Sequence, residues 1–282
     1  MSASVATRPG PATGGVAAPC AGGGEGADAD DAATPTGDDV VRADDAVPSA
    51  RDDAVPRAGR RAARADDLVV AGLEPFSSCD WPGHLVATVF LQGCPWRCGY
   101  CHNTSIIDPR APGESSWAHV RAVLARRRGL LDGVVFSGGE PTRQAGLADA
   151  MREVRAAGFG VGLHTGGAYP RRVRELARAG LVDWVGLDIK ATPEKFDLIT
   201  QTRGSAAPAF ATLAVLQEAG VPTQVRTTVD PTILTDDDVA RLTAHLAELG
   251  VAEHVVQIVR TDGAPTEFVE RLAEHRRRNG VD

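Results

Sequence analysis

The chain is expected to fold as an α/β protein with a parallel sheet, helices outside, and the sheet curled into a partial or full barrel. Three observations predict this. From about residue 68, apolar strand-like runs alternate six times with segments of helical periodicity. Several of those helices carry start and stop residues where the pattern needs them. The residues with obvious chemistry fall just after the strands, the end at which such barrels keep their sites.

Residues 1–66 contain no aromatic residue and are rich in Ala, Gly, Pro and Asp. An acidic stretch over 28–53 precedes Arg57, Arg60, Arg61 and Arg64. Such a segment cannot bury enough apolar surface to offset its ordering entropy. A disordered low-complexity tail is expected over 1–66, and a single domain over 67–282. The first strand is expected at 85–91, leading directly into a cysteine-rich loop. Ser116 can cap a helix that turns Trp117, Val120 and Leu124 to one face. The run 133–136 is the second strand, followed by a helix marked by Leu147, Ala150, Met151 and Val154. The third strand is 160–163. Pro170 and Gly180 bracket the next helix, with Val173 and Leu176 inward.

The fourth strand covers 184–189. A helix ending near Gly220 precedes the fifth, at 223–229. Thr235 caps a helix with Asp236, Asp237 and Asp238 in its first turn, favourable against the helix dipole. Leu242, Leu246 and Leu249 are its expected buried stripe, and Gly250 stops it. The sixth strand is 254–259.

Composition narrows the function classes. The 282 residues carry a net charge of -7, which gives no reason to expect nucleic-acid binding. No apolar run approaches the roughly 18 residues of a membrane span. No basic segment followed by an apolar one begins the chain, so secretion is not expected. The cysteines are Cys20, Cys79, Cys94, Cys98 and Cys101. An odd count with three clustered is a poor disulfide framework and points to a reducing, cytoplasmic setting. Only two lysines occur, Lys190 and Lys195.

The cluster reads Cys94-Pro-Trp-Arg-Cys98-Gly-Tyr-Cys101. It supplies three thiolates from one tight loop, one short of a closed tetrahedral zinc site or a fully ligated cubane. Three ligands on a four-iron cluster would leave one iron open to a small molecule. A zinc knuckle borrowing His102 or Cys79 is the alternative that spacing leaves open, although soft sulfur ligands suit iron–sulfur chemistry. Around this loop the strand ends gather further groups. Ser137-Gly-Gly-Glu-Pro141 follows the second strand, and Gly138 and Gly139 permit close backbone approach to a ligand. His164-Thr-Gly-Gly167 follows the third. Asp188 and Lys190 end the fourth, and a lysine is a point charge suited to a carboxylate. Arg226, Thr227 and Thr228 lie on the later half of the fifth. All would face one mouth.

C-x3-C-x2-C with Tyr100 before the last cysteine resembles the radical S-adenosylmethionine (SAM) enzymes. His102-Asn103 strengthens a likeness to the glycyl-radical-enzyme activases. Within that group the stretches Pro75-Phe-Ser-Ser-Cys-Asp-Trp-Pro-Gly83, Val89-Phe-Leu-Gln-Gly-Cys94 and Tyr100-Cys-His-Asn103 look like the anaerobic ribonucleoside-triphosphate reductase activating proteins. The resemblance covers roughly 68–260 and implies a partial (β/α)6 barrel of the radical SAM type. It further implies that Cys94, Cys98 and Cys101 hold a [4Fe-4S] cluster, with SAM on the fourth iron. Tyr100, His102, Gly138, Gly139, Glu140, Pro141, His164, Asp188, Lys190 and Arg226 are then the residues around SAM, and no side chain is assigned as catalytic. Flavodoxin or ferredoxin would supply an electron, SAM would split to methionine and a 5′-deoxyadenosyl radical, and a glycine of the partner reductase would lose hydrogen.

One departure stands out. Related activases usually carry Asp-Thr-Asn-Gly after the third strand, and the aspartate helps hold a monovalent cation in some of them. His164 cannot supply that charge. The turn Asp80-Trp81-Pro82-Gly83 is expected to be exposed and to contribute to partner docking. No second cysteine group is evident, so one cluster is expected. Activation of another glycyl radical enzyme, another radical SAM reaction, and a non-enzymatic metal-binding module are the alternatives.

Overall fold

The computed structural model describes residues 62–280. The expected tail therefore lies outside the described residues except for 62–66, as do 281–282. The boundary expected after residue 66 falls within a short 3-10 turn, Ala65–Asp67. Ala65 is buried, and its N–H donates to Asp149 Oδ2 at 3.0 Å.

Seven strands form one sheet in strict chain order: β1 (Val70–Ser77), β2 (Val86–Leu91), β3 (Gly133–Gly138), β4 (Gly160–Thr165), β5 (Trp184–Asp188), β6 (Thr223–Val229) and β7 (His254–Ile258). The six strands expected from sequence are β2–β7, and all their pairings are parallel. The helices are α1 (Trp117–Arg126), α2 (Leu147–Ala156), α3 (Pro170–Arg178), α4 (Pro193–Thr200), α5 (Ala206–Glu218), α6 (Asp236–Glu248) and α7 (Thr266–Asn279). Side chains alternate across each strand. Val89, Phe136, Leu163 and Leu187 are fully buried in the main apolar core. Phe90, Ser137, His164, Asp188, Arg226 and Gln257, from the other face of β2–β7, line a single cavity. One cavity lined by six successive strands requires a strongly curled sheet. β1 and β7 are its two ends, so the barrel is partial.

Capping works as the sequence predicts. The Ser116 hydroxyl accepts from His119 N–H at 3.2 Å, and Thr235 and Asp238 cap α6 reciprocally. Three elements go beyond the expectation. β1 is an antiparallel edge strand, with Gly72 and Pro75 breaking its alternation and register shifts at both places. α4 has eight residues, too few to show a period. α7 buries only Phe268 and Leu272. Leu249 corrects the expected stripe of α6: it is 41% exposed, because the helix ends at Glu248 and Leu249 is the cap. No helix among the described residues is long and apolar enough to cross a membrane.

Lys195 ties α4 to α6. Its Nζ lies 2.5 Å from Asp238 Oδ2, and Arg241 and the Thr235 N–H and hydroxyl also donate to that carboxylate. The Lys195 hydrogen bond, followed by those of Thr235, holds the Asp238 carboxyl well below the ordinary range. Because folding lowers this pKa, Asp238 contributes stability above the unfolded carboxylate value of about 4. That stability is lost as acid titrates the group through its depressed folded value. Asp238→Asn should lower the melting temperature at neutral pH and flatten its decline toward about pH 2; identical thermal profiles for the two proteins would refute the assignment.

Candidate functional site

β2 runs straight into the cysteine loop, and main-chain bonds fasten that loop on several sides. Gly93 N–H donates to Ile106 O at 2.8 Å and Cys94 N–H to Ile107 O at 3.0 Å. Arg97 N–H donates to Thr200 O at the end of α4, at 2.9 Å. Gly139 and Glu140 N–H, after β3, donate to Leu91 O and Gly93 O at 3.0 and 2.9 Å. A Cβ on Gly139 would stand 2.4 Å from Gly93 O, and one on Gly138 (φ +117°) would stand 2.3 Å from Leu91 N. These glycines are therefore needed for the turn to lie against the chain entering the cysteine loop. Both also line the cavity.

The cavity encloses about 600 Å³. Cys94, Cys98 and Cys101 line it, with Tyr100, His102, Gly138, Gly139, Glu140, His164, Asp188, Lys190 and Arg226. Pro141 does not; it is buried at the start of the 3-10 turn Pro141–Arg143. Cys79 lies beside the Ser77 hydroxyl, 3.5 Å away, and is not part of the lining. Sequence reasoning missed Trp96. Its buried ring packs edge-on to Phe196 at 5.7 Å and covers Gly166, where a Cβ would meet the ring at 2.3 Å. A tryptophan between two cysteines and a second glycine pair were the available signals.

Glu140 is 1% exposed and acts as a staple. Its carboxylate accepts from Thr142 N–H and hydroxyl, from the Thr165 hydroxyl at 2.8 Å, and from Gly166 N–H at 3.0 Å. It thereby joins the turns after β3 and β4. Burial raises its pKa, and the Thr142, Thr165 and Gly166 donors oppose that rise.

Charge concentrates on the opposite wall. Arg226 Nε and Nη2 both approach Asp188 Oδ1, at 3.1 and 3.0 Å, and Lys190 Nζ lies 3.5 Å from Asp188 Oδ2. Burial alone would raise Asp188, but Arg226 and Lys190 outweigh it and lower the carboxyl below its usual range. Burial also opposes the charge on Lys190, yet Tyr100, Cys98, Asp188 and Cys94 hold its pKa well above the ordinary value. Its ammonium lies 5.9 Å from the Tyr100 ring centroid. Burial pushes the Cys94 thiol up to about 12 and raises Cys98 and Cys101 as well.

His164 sits at the base of this wall. Its Nε2 lies 2.7 Å from the Asp80 carbonyl and its Nδ1 lies 3.4 Å from the Ser137 hydroxyl. Burial, then Arg226, lowers its pKa to about 4, so the imidazole is neutral near pH 7. The Asp80–Gly83 turn corrects part of an expectation. Asp80 and Trp81 are 2% and 7% exposed, so these two side chains face inward, whereas Pro82 and Gly83 are exposed as expected. Trp81 stacks on Trp184 with ring centroids 5.7 Å apart.

Two features fit an iron–sulfur cluster with a small polar ligand. Three soft thiol donors and a fixed cation line the same cavity. The Tyr100 hydroxyl is buried and has no hydrogen-bond partner, which marks space for another group.

The sequence profile described as the radical SAM superfamily matches residues 88–246, more than half of the chain. The chain belongs to the radical SAM superfamily. It is a radical SAM enzyme, and its cofactors are a [4Fe-4S] cluster and SAM. A Methanocaldococcus jannaschii protein named as a glycyl-radical enzyme activating enzyme is 27% identical over 179 residues, 61% of this chain and 72% of the relative. A pyruvate formate-lyase-activating enzyme of Clostridium pasteurianum is 27% identical over 183 residues, 63% and 75% of the two chains. A 7-carboxy-7-deazaguanine synthase of Thermococcus kodakarensis is 28% identical over 163 residues, 50% of this chain and 62% of the relative. The crystal structure of Streptococcus suis SuiB shares the fold, with a TM-score of 0.50 at 12% identity over 68% of this chain and 46% of that one.

Replacing Glu140 with Ala leaves the Thr165 hydroxyl and Gly166 N–H without an acceptor. The expected loss of stability is on the order of 3 kcal/mol, read by denaturant unfolding of the metal-free protein. A loss under about 1 kcal/mol would mean that the staple is not structural.

Proposed function

We propose that this protein is an activase that generates a glycyl radical on a partner enzyme, and that the partner is an anaerobic ribonucleoside-triphosphate reductase. The observation that carries the activase reading is the set of relatives named for glycyl-radical enzyme and pyruvate formate-lyase activation, combined with the cysteine loop and its charged wall. The reductase is favoured by the likeness of 75–83, 89–94 and 100–103 to that activase group. A pyruvate formate-lyase is the second reading, favoured by further relatives of that name in Listeria monocytogenes, 31% identical over 182 residues. A flavodoxin or ferredoxin would be the electron donor, and the setting would be cytoplasmic.

A reduced [4Fe-4S] cluster with SAM, held here, would supply one-electron reductive cleavage of the sulfonium, yielding methionine and a carbon radical able to take hydrogen from a glycine Cα. The chain's own residues have distinct tasks. Cys94, Cys98 and Cys101 hold the cluster as thiolates, and Lys190 offsets the negative charge that builds beside Cys98. Lys190 also offers a cation to the SAM carboxylate, while Asp188, fixed by Arg226, offers an acceptor to a ribose hydroxyl. The Gly138–Gly139 backbone and Tyr100 close around SAM. Trp96, Phe90 and Phe268 keep the surroundings apolar and exclude water. His164 serves the pocket from below, not through charge.

Anaerobic reconstitution should load about four irons per chain, and Cys98→Ala should abolish both the cluster absorbance and formation of 5′-deoxyadenosine. Retained SAM cleavage in that variant would remove the assigned triad. The partner is tested by mixing the loaded protein, SAM and reductant with each candidate. A glycyl-radical paramagnetic signal on the reductase is expected. A signal on pyruvate formate-lyase alone would overturn the reductase assignment, and no signal on either would overturn both partner assignments.

A further inference from the structure

Three strand glycines open a slot on the concave face of the sheet, and Trp81 fills it. A Cβ on Gly133 or Gly162 would stand 3.0 Å from the indole ring, and one on Gly160 would stand 3.3 Å from it. Trp184 and His84 stack against the same indole, with centroids 5.7 and 4.6 Å away. Trp81, Trp184, Val86 and Val135 form a separate small apolar cluster. Gly133, Gly160 and Trp184 begin their strands, so this cluster lies at the end of the half-barrel opposite the cysteine loop.

Asp80 and His164 line the cavity, whereas Trp81 does not. The indole is therefore the layer beneath them. Three hydrogen bonds hold the turn there, one of them from Asp80 N–H to the Ser77 hydroxyl at 3.3 Å. The Thr88 hydroxyl donates to Asp80 Oδ2 at 2.6 Å, which binds the turn to its own hairpin. The contact from His164 Nε2 to the Asp80 carbonyl, at 2.7 Å, is the one that reaches across from β4. A carbonyl only accepts, so Nε2 must carry the hydrogen. Nδ1 is then the acceptor facing the Ser137 hydroxyl at 3.4 Å. Arg226 Nη1, 3.3 Å from Nε2, then meets a second donor and forms no hydrogen bond there. Its proximity instead disfavours protonation of the ring, in keeping with the lowered pKa. A Cβ on Gly186 would stand 2.8 Å from the Arg226 guanidinium carbon and 2.9 Å from His164 Cδ2, so both groups depend on that glycine for space.

We propose that His164 is a positioning residue whose Nε2–H latches the Asp80–Trp81 turn into the half-barrel, holding Trp81 as the plug that closes the cavity at the end opposite the cysteine loop. The latch explains why an imidazole stands at this position. A carboxylate there would face the Asp80 carbonyl with no hydrogen to offer. The inference concerns the closed end of the cavity and holds whichever substrate enters the open one.

Hydrogen exchange in the metal-free protein reads the latch directly. His164→Asp should raise exchange across residues 78–84 about tenfold, the change expected for losing one buried hydrogen bond. His164→Gln, which keeps an N–H donor, should restore protection to within about twofold. Equal protection of 78–84 in wild type and His164→Asp would overturn the proposal. Nitrogen-15 spectra of the wild-type imidazole give a second measurement that does not depend on His164→Asp folding. A neutral ring with hydrogen on Nε2 is expected, assigned by its loss in His164→Gln. A ring with hydrogen on Nδ1 would overturn the latch.

Discussion

The site depends on how closely two backbones approach. The chain leaving β2 and the turn leaving β3 lie so near each other that no side chain fits between Gly139 and Gly93. That contact fixes the direction in which the cysteine loop departs. Glu140 then fastens the β3 turn to the β4 turn, and Trp96 rests on Gly166 within that second turn. Each successive attachment is to a group already held, so the three thiols are oriented by main chain and buried carboxylate together.

Electrostatics divides the cavity into two walls. The cysteine side is made of half-buried thiols whose ionisation desolvation opposes. The opposite side presents Lys190 and Arg226 around one carboxylate, Asp188. A cation next to thiols favours their deprotonated, ligating form, and metal binding must displace their protons. The acidic balance of the whole chain conceals this local excess of positive charge. Both lysines of the chain sit in ion pairs, Lys190 in the cavity and Lys195 between two helices.

Much of this was legible in the sequence, for definite reasons. The strands β2–β5 are largely buried apolar runs, and Ser116 and Thr235 announce their helices by capping. The cysteine spacing and the residues after each strand locate the mouth. β1 was hidden because Gly72 and Pro75 interrupt its alternation, and α4 because eight residues hold only two turns. Turn chemistry placed Trp81 at the surface, since a Pro-Gly turn usually lies there. Its burial depends on glycines from β3 and β4 some fifty to eighty residues away, an arrangement that local pattern cannot express. The same holds for Gly139 and Gly166, whose partners Gly93 and Trp96 are distant in the chain.

The strands pair in the order in which they are made, so synthesis and assembly can advance together, one strand–helix unit at a time. The cysteine loop leaves the ribosome early, between the first two parallel strands. Phe268, which packs against Tyr100, and the β7 end that meets His102 are made last. The enclosure of the cysteine loop therefore needs groups as far along the chain as Arg260 and Phe268 to be in place.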